Sequence, residues 1–212
     1  RRTMVGQCAG GRRALDAEDG RQRQRWIRDR TGWGRTGENF WGYQAHGIVP
    51  DMLTFAKGVG NGITLAGIAA RAELMDTIDV LHFSTFGGNP LSAAAGIATL
   101  DQVLADDLQG NAKAMGNRFY TAIAPVVDRT PGITELRGRG LMWAVELCHE
   151  GGIEPDRERT TQLLEACKAH GLLVGKGGLY GNVIRIAPML NINADETDEL
   201  IARFSRAIAD IE

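Results

Sequence analysis

The stretch MLTFAKGVGNG, Met52 to Gly62, decides the fold class. Met52 to Ala56 is a short apolar run with a β-branched and an aromatic member, which reads as a buried strand. It stops at Lys57 and runs into a glycine-rich loop. A second such run, AGIAA from Ala66 to Ala70, is expected beside it in the sheet. Further on, HFSTFGGNPLSAAAGIATLDQVL supplies a flexible turn at Gly87 and Gly88, an N-cap at Asn89 and a proline at the first helical position, so a helix is predicted from Pro90 to Leu104. Ala112, Met115, Phe119, Ile123 and Val126 recur at helical spacing and mark an amphipathic helix ending near Pro125 to Asp128. Leu141, Trp143, Val145 and Leu147 alternate as a strand following the turn RGRG, in which Arg137 and Arg139 read as turn or surface residues. A helix near Arg159 to His170, strands at Leu172 to Val174 and Val183 to Ile186, and a last helix behind the capping pair Asn193 and Glu196 complete the order. This alternation argues an α/β architecture, with a boundary between Leu104 and Asn111.

The 212 residues are 43% hydrophobic and 24% charged, with a net charge of −2, which excludes disordered, collagenous and coiled-coil classes. Three scattered cysteines without CxxC spacing indicate neither a disulfide framework nor a zinc site. No apolar run approaches the roughly 20 residues that span a bilayer, and residues 1–30 hold no apolar segment of the signal-peptide kind, so a cytoplasmic location is expected. The four histidines show no ligand spacing, and no metal is expected. Glycine is over-represented at 28 residues, so many backbone positions need a positive φ or a close approach.

The small net charge averages two unlike pieces. Residues 1–30 hold nine arginines against four acids, and show no apolar period of 2 or 3.6. They read as a polar segment, expected to be disordered. A nucleic-acid-binding arm would use such charge. Only Trp26 interleaves there, however, and the acids weaken the field, so no nucleic acid is expected as a partner.

Three residues are candidates for chemistry. Lys57 stands at the end of an apolar strand, where desolvation would favour a neutral amine able to form a Schiff base with a carbonyl cofactor. Its alternative is a solvated surface lysine, just as Gly58, Gly60 and Gly62 either admit a ligand or merely turn the chain. Thr85, in STFGGNPL, precedes glycines and a helix N-terminus, which make either a phosphate cradle or an ordinary capped helix start. Arg185 lies within the apolar strand VIRIAP and needs a partner: a substrate carboxylate held bidentately, or an internal Asp or Glu. Trp33, Trp41 and Tyr43 either line an entrance or pack near a turn.

These segments together resemble a known family. WGRTGENFWGYQAHGIVPDMLTFAKGVGNG, HFSTFGGNPLSAAAG, RGRGLMWAVEL and GLLVGKGGLYGNVIRIAPMLNI occur in the order of the C-terminal half of a class III pyridoxal-phosphate aminotransferase, most like the alanine–glyoxylate type. The resemblance covers about Thr31 to Glu212. It implies the C-terminal part of a fold-type-I transferase, with part of the large cofactor domain over residues 31–106 and a small α/β domain over 107–212. It further implies pyridoxal 5′-phosphate as cofactor, with Lys57 bonding it and acting as general base. Thr85 is implied to reach the phosphate of a neighbouring subunit's cofactor in a homodimer, and Arg185 to grip the substrate's α-carboxylate. The implied reaction moves an amino group from an amino acid such as alanine to a 2-oxo acid such as glyoxylate or pyruvate; a mutase or racemase would share this half-site.

Before the WGRTG segment the family reads Asp-Glu-Val-Gln-Thr-Gly, its aspartate pairing with the pyridine nitrogen. Here a gapless match puts Ile27 at the aspartate, whereas a two-residue deletion puts Asp29 there. The abrupt junction near residue 30 leads us to expect a truncated or frame-shifted product with impaired activity. A non-catalytic remnant or dimerisation module is the rival expectation.

Overall fold

The computed structural model describes residues 26–29, 32–80 and 84–212. The rest of the arginine-rich segment, and with it the expectation of disorder over residues 1–25, lies outside the described residues. The described residues form two compact units: unit 1 comprises those up to Gly34 together with those of Asn39–Asp107, and unit 2 comprises Arg35–Glu38 with Leu108–Glu212.

In unit 1, β1 (Trp26–Asp29) pairs in parallel with β2 (Met52–Ala56), which pairs antiparallel with β3 (Ala66–Ala70). The expected patternless lead-in through residue 30 is therefore corrected over β1. Four residues are too few to show a period, and it is the partner strand that makes them a strand. Ile27 lies opposite Leu53 in the register, and both are buried. The short helix α1 (Ala72–Met75) follows β3, and α2 (Pro90–Ala105) begins as its capping residues direct: the Asn89 side chain accepts a hydrogen bond from the Ser92 N–H at 2.9 Å, with Pro90 at the first turn.

Unit 2 layers helices on one face of a four-stranded antiparallel sheet. α3 (Leu108–Arg129) carries Pro125 within its last turn, and β4 (Ile133–Arg139) and β5 (Met142–Leu147) form a hairpin. α4 (Arg157–Ala169), β6 (Gly175–Gly177), β7 (Val183–Ile186) and α5 (Ala194–Ala209) follow, and the strand order is β4-β5-β7-β6. Asn193 and Glu196 make the expected capping box, with 2.9 Å bonds in both directions. The core joins Phe119 and Ile123 of α3, Val145 and Leu147 of β5, Leu163 of α4, Ile184 of β7 and Phe204 of α5.

Two expectations need correction here. Leu172 to Val174 is not a strand; pairing begins one residue later, at Gly175, where the chain comes opposite Arg185. The RGRG segment is mostly strand rather than turn, because Arg137 and Arg139 pair with Ala144 and Met142, leaving only Gly140, with φ 53°, to reverse the chain. Among the described residues, no helix is long and apolar enough to cross a membrane, and no cluster could hold a metal ion.

Candidate active site

Lys57 follows the last residue of β2, and its backbone takes φ 66° and ψ −87°, a region sparsely populated by non-glycine residues. The strain is held from both sides. β2 fixes the chain before it, and a 3-10 turn over Gly58–Gly60 fixes the chain after it, with the Gly60 N–H donating to the Lys57 carbonyl at 3.2 Å. That turn packs against α2, with Val59 buried beneath it. Gly96 of α2 faces this region: a Cβ there would be 3.7 Å from the Val59 carbonyl oxygen and would meet the movable end of Leu65 at 2.5 Å. The Lys57 side chain is exposed and has no hydrogen-bond or ionic partner among the described residues. The burial expected at the end of the apolar strand is therefore not found within this chain.

Asp29 ends β1 and lies opposite Phe55 in the parallel register, two residues before Lys57 on the neighbouring strand. Asp29 and Lys57 thus occupy the carboxyl ends of adjacent parallel strands, where open α/β sheets bind ligands. The carboxylate is buried, with 6% of its residue surface exposed, and accepts from the Gly32 N–H at 2.6 Å and the Gly42 N–H at 2.7 Å. A Cβ at Gly32 would collide with it, so glycine is needed for that approach. These two backbone N–H groups fix the carboxylate at the end of the strand. Ile27 belongs to the sheet interior, so of the two possible alignments only the one using Asp29 puts a carboxylate at this edge.

Thr85 lies in the Ser84–Gly88 turn before α2, exposed and without a partner among the described residues. The turn is closed by the Gly87 N–H donating to the Ser84 carbonyl at 3.1 Å, and Gly88 has φ 65°. Lys57, Asp29 and Thr85 share unit 1, whereas Arg185 belongs to unit 2. Arg185 is the exposed member of β7, between Ile184 and Ile186, which are both buried. It makes no ion pair or hydrogen bond among the described residues, so the internal Asp or Glu partner is not found. Trp33 and Trp41 pack instead into an aromatic cluster with Phe40 and Phe55, at centroid distances of 5.4 to 5.9 Å.

Sequence reading missed Arg35. It sits within the unit 2 fold, its guanidinium donating to the Leu141 carbonyl at 3.3 Å and the Pro188 carbonyl at 2.6 Å, while the Leu141 N–H donates back to its carbonyl at 2.9 Å. Burial pulls its pKa below the usual arginine value. No local pattern in WGRTG announces bonds to residues more than a hundred positions away.

The family model for class III aminotransferases matches residues 29–208. This chain belongs to the class III aminotransferases. The match begins at Asp29, the last residue of β1. Among relatives, the mitochondrial alanine–glyoxylate aminotransferase 2 of Homo sapiens is 37% identical over 182 residues, covering 84% of this chain and 35% of its own. The 4-aminobutyrate aminotransferase of Mycobacterium leprae is also 37% identical, over 181 residues, covering 85% and 40%. Of solved structures, a phospholyase from Arthrobacter in complex with phosphoethanolamine superposes with a TM-score of 0.82 at 30% identity, covering 87% of this chain and 44% of that one. An (S)-enantioselective ω-transaminase from Thermomicrobium roseum gives 0.78 at 31%, covering 88% and 43%. The chain thus spans about two fifths of the length of these relatives, and its fold is the corresponding part of a pyridoxal-phosphate-dependent transaminase. Pyridoxal phosphate is the cofactor of this family; the Toxoplasma gondii ornithine aminotransferase carries it at partial occupancy in its active site.

Proposed function

We propose that this chain carries the lysine, aspartate and carboxylate-binding arginine of an aminotransferase acting between an amino acid such as alanine and a 2-oxo acid such as glyoxylate or pyruvate. The observation that carries the reading is Lys57 and Asp29 at the carboxyl ends of adjacent parallel strands. Pyridoxal 5′-phosphate, when bound, supplies an electrophilic carbonyl carbon and an electron-accepting ring. Lys57 Nζ, unpaired among the described residues and at a strand end, is the group that would hold that carbon and would carry a proton from the substrate's Cα. Asp29, fixed by two backbone N–H groups, would hold the ring nitrogen and favour its protonated form. Arg185 holds the α-carboxylate of the amino or oxo acid, the role its lack of an internal partner supports. The Thr85 hydroxyl would donate to the phosphate of a cofactor held by a second copy of the chain, in a homodimer. Because Lys57 and Thr85 are exposed here, the 212-residue chain by itself is expected to have impaired activity. Buried free thiols at Cys148 and Cys167 support a reducing compartment, the cytoplasm.

A second reading, a non-catalytic remnant, is favoured by one observation: unit 2 closes a core of its own while the unit holding Lys57 exposes much of its apolar surface. Borohydride reduction after mixing with pyridoxal phosphate, followed by peptide mass mapping, separates the two. A pyridoxyl adduct on Lys57, absent in Lys57→Ala and unchanged in Arg185→Gln, supports the aminotransferase. Labelling spread over all lysines, with none preferred, supports the remnant.

A further inference from the structure

The outer face of the unit 2 sheet holds charges that the proposed reaction leaves unused. Cross-strand register sets Arg137, Ala144, Arg185 and Gly175 in one row across β4, β5, β7 and β6, and Glu135, Glu146, Val183 and Gly177 in the next. Directly paired residues share a face, so two arginines and two glutamates stand together on the side away from the core. Glu146 is diagonal to Arg185 on the adjacent strand. Diagonal neighbours lie about 7–8 Å apart, within reach of two long side chains. Ala144, directly opposite Arg185, is too small to keep them apart.

The two nevertheless do not pair. Glu146 is already held from both sides: Oε2 accepts from Arg137 Nη1 of β4, and Oε1 accepts from Nδ2 of Asn182, the residue just before β7, at 3.1 Å. Arg137 Nη1 also donates to Glu135. Asn182 is buried and fixed, donating to the Leu147 carbonyl at 3.0 Å while its own carbonyl accepts from the Leu147 N–H at 2.9 Å. Arg137 and Glu146 are only 20% and 28% exposed, so their attraction is less screened than that of a surface pair. Arg185 lies toward the opposite strand, over bare backbone. A Cβ at Gly177 would be 3.2 Å from Arg185 Cδ, and one at Gly175 would be 3.5 Å from Arg185 Nε.

We propose that Arg137, helped by Asn182, is a positioning residue that sequesters Glu146 and thereby keeps Arg185 free for a substrate carboxylate. This rests on the reading of Arg185 as the carboxylate anchor. A glutamate released beside an unpaired guanidinium is an intramolecular competitor, present at an effective concentration of about millimolar, against which a free carboxylate must bind.

The test follows the arginine Nε–Hε resonances of the full chain by NMR, with Arg185→Gln assigning the signal and sodium pyruvate as the probe. In Arg137→Gln, Arg185 Hε exchange with solvent is expected to slow without any ligand, and pyruvate affinity to fall about fivefold. The double variant Arg137→Gln, Glu146→Gln is expected to restore both, and Arg137→Lys, which keeps a cation beside Glu146, to leave both near the original. Unchanged Arg185 exchange in Arg137→Gln, or a loss that Glu146→Gln does not rescue, overturns the sequestration. Pyruvate binding that survives Arg185→Gln instead overturns the anchor reading beneath it, whatever Arg137 does to the exchange rate.

Discussion

Phe204, Ile123 and Leu163 in unit 2 are fully buried, while Phe86, Leu91 and Ile97 in unit 1 are 80%, 70% and 63% exposed. Among the described residues unit 1 buries four apolar side chains, Ile27, Leu53, Val59 and Val103, and leaves ten large ones open to solvent. Burial stabilises by about 25 cal/mol per Å² of apolar surface, so the two units do not share stability evenly. Unit 2 has helices over its sheet. Unit 1 has three strands, one of only four residues, and a helix whose outer face carries Leu91, Ile97 and Leu104. The groups proposed to handle the cofactor belong to the less stable unit, and the proposed carboxylate anchor to the more stable one.

The largest effect should come from the unit 2 core. Phe204→Ala removes a fully buried ring that packs against Phe119 at 6.3 Å, and should cost unit 2 about 3–5 kcal/mol. Hydrogen exchange read by mass spectrometry should show α3, β5 and α5 losing protection together, with β2 and α2 unchanged. An equal loss in β2 would mean that the two units unfold as one, and the comparison would fail.

A smaller contrast compares two helix glycines. A Cβ at Gly116 of α3 would strike the backbone of Gly140, which is itself fixed in the β4–β5 turn. One at Gly96 of α2 would meet only the end of Leu65, a side chain that can move. Gly116→Ala should therefore destabilise unit 2 by about 1–3 kcal/mol. Gly96→Ala should change unit 1 by less than about 1 kcal/mol, the gain in helix propensity offsetting the repacking. Denaturant midpoints for the two units check both, and equal shifts would show that the neighbour's rigidity does not decide the outcome.

What the sequence makes legible follows the same division. The helix start at Asn89 and Pro90 and the capping box at Asn193 are local devices, and both appear where their residue types require. β1 and β4 escape because their definition is not local: β1 exists through its partner β2, and β4 hides in RGRG, where two glycines and two arginines imitate a turn. Of the site, Lys57 is legible from the strand that stops at it. That Asp29 rather than Ile27 holds the sheet edge becomes clear only from the register with β2. Nor does any spacing announce that Arg137 and Asn182 would take Glu146 before Arg185 could.

The smallest predicted effect tests whether surface charge could account for the difference between the units instead. Arg118 of α3 and Asp198 of α5 form a two-pronged ion pair, and the hydrogen bonds from Arg118 hold the Asp198 carboxyl below its ordinary range. A carboxyl lowered in the folded state stabilises fully above its unfolded pKa and loses that contribution as pH falls through the folded one. The stability gap between the original chain and Asp198→Asn should therefore close on acidification below the ordinary aspartate range, and shrink in salt at neutral pH. Unit 1 has a counterpart: the Glu73 carboxyl is lowered by its own backbone N–H and by Arg71, so Glu73→Gln should behave in the same sense. Similar exposed chemistry on both units cannot produce their unequal stability. If Asp198→Asn brought unit 2 down to the level of unit 1, the buried core would no longer explain the difference.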